Sequence, residues 1–149
     1  MKTTLLLCSF AFCFLDNSNV NAQANKSERP YLFTSYSSKI PAAVAELEKA
    51  FTTAADSDIK FRFSPGFLFT GTVISSVQKY NNLSSVLIRL PAFNNTLLCI
   101  SKRTNDDNTI TYVGRIINEK YADGYELIKD NSGNYSFTKI KTEDLIQDF

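Results

Sequence analysis

Residues 59–77, Ile-Lys-Phe-Arg-Phe-Ser-Pro-Gly-Phe-Leu-Phe-Thr-Gly-Thr-Val-Ile-Ser-Ser-Val, decide how this chain folds. Phe61 and Phe63 alternate with Lys60 and Arg62, a period of two that sends apolar side chains to one face of a strand and charged ones to the other. Pro65-Gly66 interrupts the run, and Phe67 and Phe69 open a second one. Two strands joined by a tight turn satisfy the pattern. The phenylalanines on either side of the turn read as core packing before they read as a groove for an apolar ligand.

Downstream the theme repeats. After Ile59 to Phe63 and Phe67 to Val77 come β-like segments at Ser85 to Leu90, Thr96 to Lys102, Thr109 to Ile117, Tyr125 to Asp130 and Asn134 to Lys141. Val86, Ile88 and Leu90 alternate with Arg89, and Tyr135 and Phe137 with Ser136 and Thr138. The connections, Asn81-Asn82, Asn94-Asn95, Asn105 to Asn108 and Asn131-Ser132-Gly133, are short and made of residues that tolerate left-handed backbone. Parallel strands would need long crossovers for which there is no room, so the pairing is antiparallel. Gly71 and Gly114 inside strand-like runs suggest a bulge or a sharp coil in a curved sheet.

Upstream the period changes. From Pro41 to about Ala55, Val44, Leu47 and Phe51 fall at i, i+3 and i+7, with Glu46, Glu48 and Lys49 elsewhere on the wheel, which predicts one amphipathic helix. Pro41 suits its first turn, and Asp56-Ser57-Asp58 ends it. Thr142-Glu143-Asp144 starts a short C-terminal helix that Leu145, Ile146 and Phe149 would dock. The fold class is therefore α+β: one N-terminal helix packed on a strongly twisted antiparallel meander of about six strands, cystatin-like or partly closed into a barrel. The inhibitory cystatin sequence Q-x-V-x-G is absent, so only the architecture is comparable.

The first residues carry an address. Lys2, the apolar run Leu5 to Leu15 and Ala22-Gln23-Ala24 form the three parts of a secretory signal, cleaved near Ala24. The run is shorter than the roughly 20 apolar residues a membrane-spanning helix needs, and no second one follows. The expected organisation is a signal over residues 1–24, a polar or extended arm over 25–40, and one globular domain over 41–149. The expected location is secreted or periplasmic. Cleavage removes Cys8 and Cys13, so Cys99 is left without an intramolecular partner, and its apolar run Thr96 to Ser101 makes it read as a small hydrophobe rather than a nucleophile or an intermolecular bridge.

The chemistry is limited by what is missing. The chain has no histidine, which removes Ser-His and Cys-His catalysis and the usual zinc ligand sets. Its glycines are too scattered for a phosphate-binding loop, and Asp130-Asn131-Ser132-Gly133 places glycine at the wrong position for a calcium loop. No cofactor and no metal is expected. The formal net charge is +1, and Lys102-Arg103 is followed almost at once by Asp106-Asp107, so nothing forms a nucleic-acid-binding stripe.

Carboxylates at Asp123, Glu126 and Asp130 are the credible catalytic groups, but closeness in sequence does not set them on either side of a scissile bond. The most suggestive stretch is Tyr121-Ala122-Asp123-Gly124-Tyr125 after Arg115 and Lys120: tyrosine and arginine offer rigid amphipathic contact surface, and sheet-held loops carry function. Tyr121, Asp123, Tyr125 and Arg115 are thus the candidate binding residues. The reading that follows is a small exported, non-enzymatic module that binds a protein partner as inhibitor, accessory or envelope adaptor. The alternatives are a carrier of a small apolar or sugar-like ligand and a carboxylate-dependent hydrolase.

Overall fold

In the computed structural model, which describes residues 29–145, the alternation seen in the sequence becomes one continuous sheet. Its strands are β1 (Lys39–Pro41), β2 (Asp58–Ser64), β3 (Phe67–Tyr80), β4 (Leu83–Leu90), β5 (Thr96–Thr104), β6 (Ile110–Ile117), β7 (Asp123–Lys129) and β8 (Tyr135–Lys141), with helix α1 (Val44–Thr52) between β1 and β2. From β2 to β8 each strand pairs antiparallel with the next, and β1 adds to the far side of β8. The sheet curls until its two ends approach: Phe63 of β2 meets Phe137 of β8 with ring centroids 5.1 Å apart. The result is a nearly closed barrel. The secretory signal assigned to residues 1–24, and residues 25–28 of the arm, lie outside the described residues.

Several expectations are corrected. The sheet has eight strands rather than about six. All seven β-like segments pair, and β1 forms inside what the sequence presents as an arm. Three residues ending in proline carry no readable alternation; Lys39–Pro41 is extended because β8 offers it an edge, and proline is tolerated there. Helix α1 accordingly begins at Val44 rather than Pro41, and it buries Leu47 and Ala50 while Val44 faces out. The C-terminal segment is a 3-10 turn, Thr142–Leu145; Ile146 and Phe149 lie outside the described residues.

Neither Gly71 nor Gly114 is at a bulge. Gly71 pairs in register with Ile59, and Gly114 with Ile100; the shifts fall between Val73 and Ser75 and between Gln78 and Tyr80 against β4, and between Arg62 and Ser64 where β2 meets β3. Both glycines are needed because neighbours come too close for a side chain. A Cβ on Gly71 would lie 2.5 Å from Ile88 Cγ2, and one on Gly114 would lie 2.9 Å from the Cys99 carbonyl oxygen. The asparagine clusters do supply left-handed backbone, with φ of 53° at Asn94, 59° at Asn95 and 63° at Asn108.

The inward faces fill the barrel with aromatic side chains. Phe67 of β3 reaches Tyr125 of β7 at 5.5 Å between centroids, and Phe61, Phe63 and Phe69 stack beside them. Helix α1 covers part of the open seam: Glu46 accepts the backbone N–H of Arg62 at 2.9 Å, on the edge of β2 that no described strand pairs.

Candidate functional site

Strand parity decides where the candidate residues go. Along β7, Asp123, Tyr125 and Leu127 point inward, while Gly124, Glu126 and Ile128 point outward. Asp123 is only 2% exposed, and its carboxylate accepts the backbone N–H groups of Leu32 at 2.6 Å and Phe33 at 2.9 Å. Tyr125 is fully buried and donates its hydroxyl to the Ser37 carbonyl at 2.7 Å. Burial, helped by the nearby Asp123 charge, pushes the Tyr125 phenol up to about 12. Both residues hold the chain's own segment 30–38, which crosses one end of the barrel.

Lys139 completes this end, donating to the carbonyls of Phe33 at 2.8 Å and Tyr36 at 2.9 Å. Sequence reasoning missed it, although its parity with Tyr135 and Phe137 marked it as an inward-facing lysine. Phe33 is fully buried there and packs edge-on to Tyr125 and Phe93 at 5.1 and 5.3 Å. A residue assigned to the arm is thus part of the core.

The other two candidates are at the surface. Tyr121 is half-buried; its hydroxyl accepts a bond from Asn94 Nδ2 at 2.7 Å, and its carbonyl accepts the Thr142 hydroxyl. Arg115 stands on the outer face of β6 and donates from Nε and Nη2 to Glu126 Oε1 at 2.9 and 2.8 Å. The three carboxylates of the hydrolase alternative are dispersed: Asp123 faces in, Glu126 faces out, and Asp130 accepts the amides of Ser132 and Asn134 in the following turn. The Asn134 bond foremost holds the Asp130 carboxyl below its usual range. Among the described residues no three His, Cys, Asp or Glu side chains cluster in a way that could hold a metal ion.

Around Arg115 the outer surface is apolar. One transverse row runs Leu87, Cys99, Arg115, Glu126 across β4 to β7, and beside it Leu97 is 37% exposed and Val113 57% exposed, with Ile128 near the end of β7. Cys99 belongs to this surface, a point the sequence left open: Leu98 and Ile100 take the inward positions, so the cysteine between them faces out. An apolar run longer than strict alternation hides which members are wet. Toward Tyr121 the surface passes into a groove lined by Asn94, Leu97, Ile117, Asn118 and Lys120.

A further polar cluster ties α1 to the sheet. Glu48 accepts bonds from Lys102 Nζ, at 2.9 Å, and from the Tyr112 hydroxyl, while Lys102 also lies over the Phe51 ring. Burial opposes the Glu48 charge, but the bonds from Lys102 and Tyr112 outweigh it and hold the carboxyl below its usual range. Burial, followed by the bond to Glu48, pushes the Tyr112 phenol well up. Glu48 follows the buried Leu47 on the helix and reaches Lys102 of β5 and Tyr112 of β6, a contact the sequence could not show.

No family model matches the chain, and no curated protein and no solved structure matches it. What the described residues define is a nearly closed eight-stranded antiparallel barrel with an unsealed seam, an aromatic core and an apolar stretch of outer face around Arg115.

Proposed function

We propose that this chain is a small exported, non-enzymatic module that binds another protein through the outer surface of β5, β6 and β7. The observation that carries the reading is the grouping of Leu97, Cys99, Val113 and Ile128 around the Arg115–Glu126 pair, with the barrel interior occupied by its own side chains. A solvent-facing apolar patch of this kind costs solubility and is characteristic of contact surfaces. Arginine at its centre supplies a multidentate polar contact, and the half-buried Tyr121 with the Asn94–Lys120 groove forms the rim. Export rests on the pattern of the first 24 residues, and the filled interior speaks against the carrier alternative.

The test is capture of envelope and medium proteins by the tagged wild type and by the Leu97→Ser/Val113→Ser double variant. Both positions face solvent, so the variant should keep its unfolding midpoint within the range of ordinary surface substitutions, about 0.5 kcal/mol each, while losing the partner. A partner retained equally by the variant removes this face from the reading; no stoichiometric partner for the wild type removes protein binding.

A further inference from the structure

We propose that the barrel end crossed by residues 30–38 is a peptide-binding site, filled in the free protein by the chain's own strap, that accepts an aromatic-bearing turn of another polypeptide in trans when the strap lifts. The site is separate from the outer face and does not depend on it.

The barrel grips the strap chiefly by its backbone. Asp123 takes the amides of Leu32 and Phe33, Lys139 gives to the carbonyls of Phe33 and Tyr36, the Tyr125 hydroxyl gives to the Ser37 carbonyl, and the Ala122 amide gives to the Pro30 carbonyl at 2.9 Å. Every peptide carries these groups, so the polar part of the grip is indifferent to sequence. Selectivity comes from the rings. Phe33 is the buried anchor, and Tyr36, three residues on, packs against Phe67 and Phe93 at 5.5 and 5.6 Å. The Tyr36 amide closes the turn onto the Phe33 carbonyl at 3.1 Å. The ligand class is therefore a turn with aromatic residues at i and i+3.

The strap lies over the barrel end and is not threaded through it. Tyr31, Thr34, Ser35, Ser37 and Ser38 face solvent; registered pairing with β8 begins at Lys39, and the Ser38 carbonyl before it accepts the Lys139 amide at 2.8 Å. Lifting residues 30–38 leaves the ladder from β2 to β8 intact. Asp123 and Lys139 then exchange peptide partners for water, and the Phe33 ring leaves its socket beside Tyr125 and Phe93. A strap on the same chain competes with an effective concentration in the millimolar range, which keeps the site closed to weak ligands.

The experiment uses the full chain carrying Phe33→Ala, which empties the anchor socket, titrated with a fluorescently labelled peptide of residues 29–38. Saturable binding at least tenfold tighter than to the wild type is expected, and a peptide with alanine at the position of Phe33 should bind at least tenfold more weakly. A folded variant that takes up no peptide, or takes both peptides equally, overturns the proposal. Should the variant fail to fold, hydrogen exchange of the wild type decides instead. The Leu32 and Phe33 amides are expected to exchange at least tenfold faster than those of Ile88 and Ile100 in the central strands; equal rates would make the strap part of the cooperative core and overturn the proposal. Neither readout involves the outer face, so failure here and failure of the protein-binding reading are distinguishable.

Discussion

Replacing Asp123 with asparagine changes one atom of the side chain and should cost about 3 kcal/mol. The carboxylate is buried and accepts two successive amides, from Leu32 at 2.6 Å and Phe33 at 2.9 Å. An asparagine can accept only one of them, and its NH2 group must face the other N–H. A hydrogen bond to a charged group contributes about 1.5–3 kcal/mol, and a buried amide left unpaired costs about 1–3 kcal/mol, partly relieved here because the strap can shift toward water. For a chain of this size the sum corresponds to roughly 10 °C in Tm. The assay is urea unfolding of Asp123→Asn beside Glu126→Gln, which breaks an exposed ion pair on the opposite face of the same strand and should cost under about 1 kcal/mol. If Asp123→Asn lost less than about 1 kcal/mol, or no more than Glu126→Gln, the carboxylate would not be the strap's anchor and the reasoning would be refuted.

Other outcomes follow from the same contacts. Gly71→Ala should destabilise by about 1–3 kcal/mol in thermal unfolding, because its Cβ would lie 2.5 Å from Ile88 Cγ2 and 2.8 Å from Leu90 Cδ2 on the filled side of the barrel. Stability should fall as pH rises above 10: the folded state holds the Tyr125 proton up to about 12, so between these values the folded chain binds more protons than the unfolded one. Each such tyrosine contributes a loss of about 1.4 kcal/mol per pH unit, and Tyr125→Phe should make that limb shallower in denaturant titrations from pH 9 to 12. At the acid end Glu46 and Glu48, both held below 4.5, contribute stability that is present above that value and lost as pH falls through their folded pKa values. The Glu48→Gln variant should show a smaller acid loss in the same measurement.

The strand pattern was legible because alternation reports burial directly. Lys60 and Arg62 alternating with Ile59, Phe61 and Phe63, and Arg89 between Ile88 and Leu90, could face only one way, and seven segments followed within two residues at most ends. What the sequence could not show is how the sheet's ends are finished. β1 exists because β8 has a free edge, and residues 30–38 are ordered by Asp123, Lys139 and Tyr125 more than ninety positions away or nearly so. For the same reason two of the four candidate binding residues face inward. Tyr121-Ala122-Asp123-Gly124-Tyr125 looked like a loop, but β7 begins at Asp123, and parity then turns Asp123 and Tyr125 inside while leaving Arg115 and Glu126 on the surface. Cys99 shows the complementary difficulty, since Leu97 through Ile100 is apolar on both faces.

Cys99 also gives the central claim its most direct measurement, because the thiol stands on the face through which partner binding is proposed. The rate of its alkylation, followed by mass spectrometry of the peptide that contains it, is compared for the free protein and for the protein eluted with its captured partner. The account predicts that the complex protects Cys99 at least tenfold while the Leu97→Ser/Val113→Ser variant shows no protection in the same extract. An alkylation rate unchanged in a stoichiometric complex would contradict it.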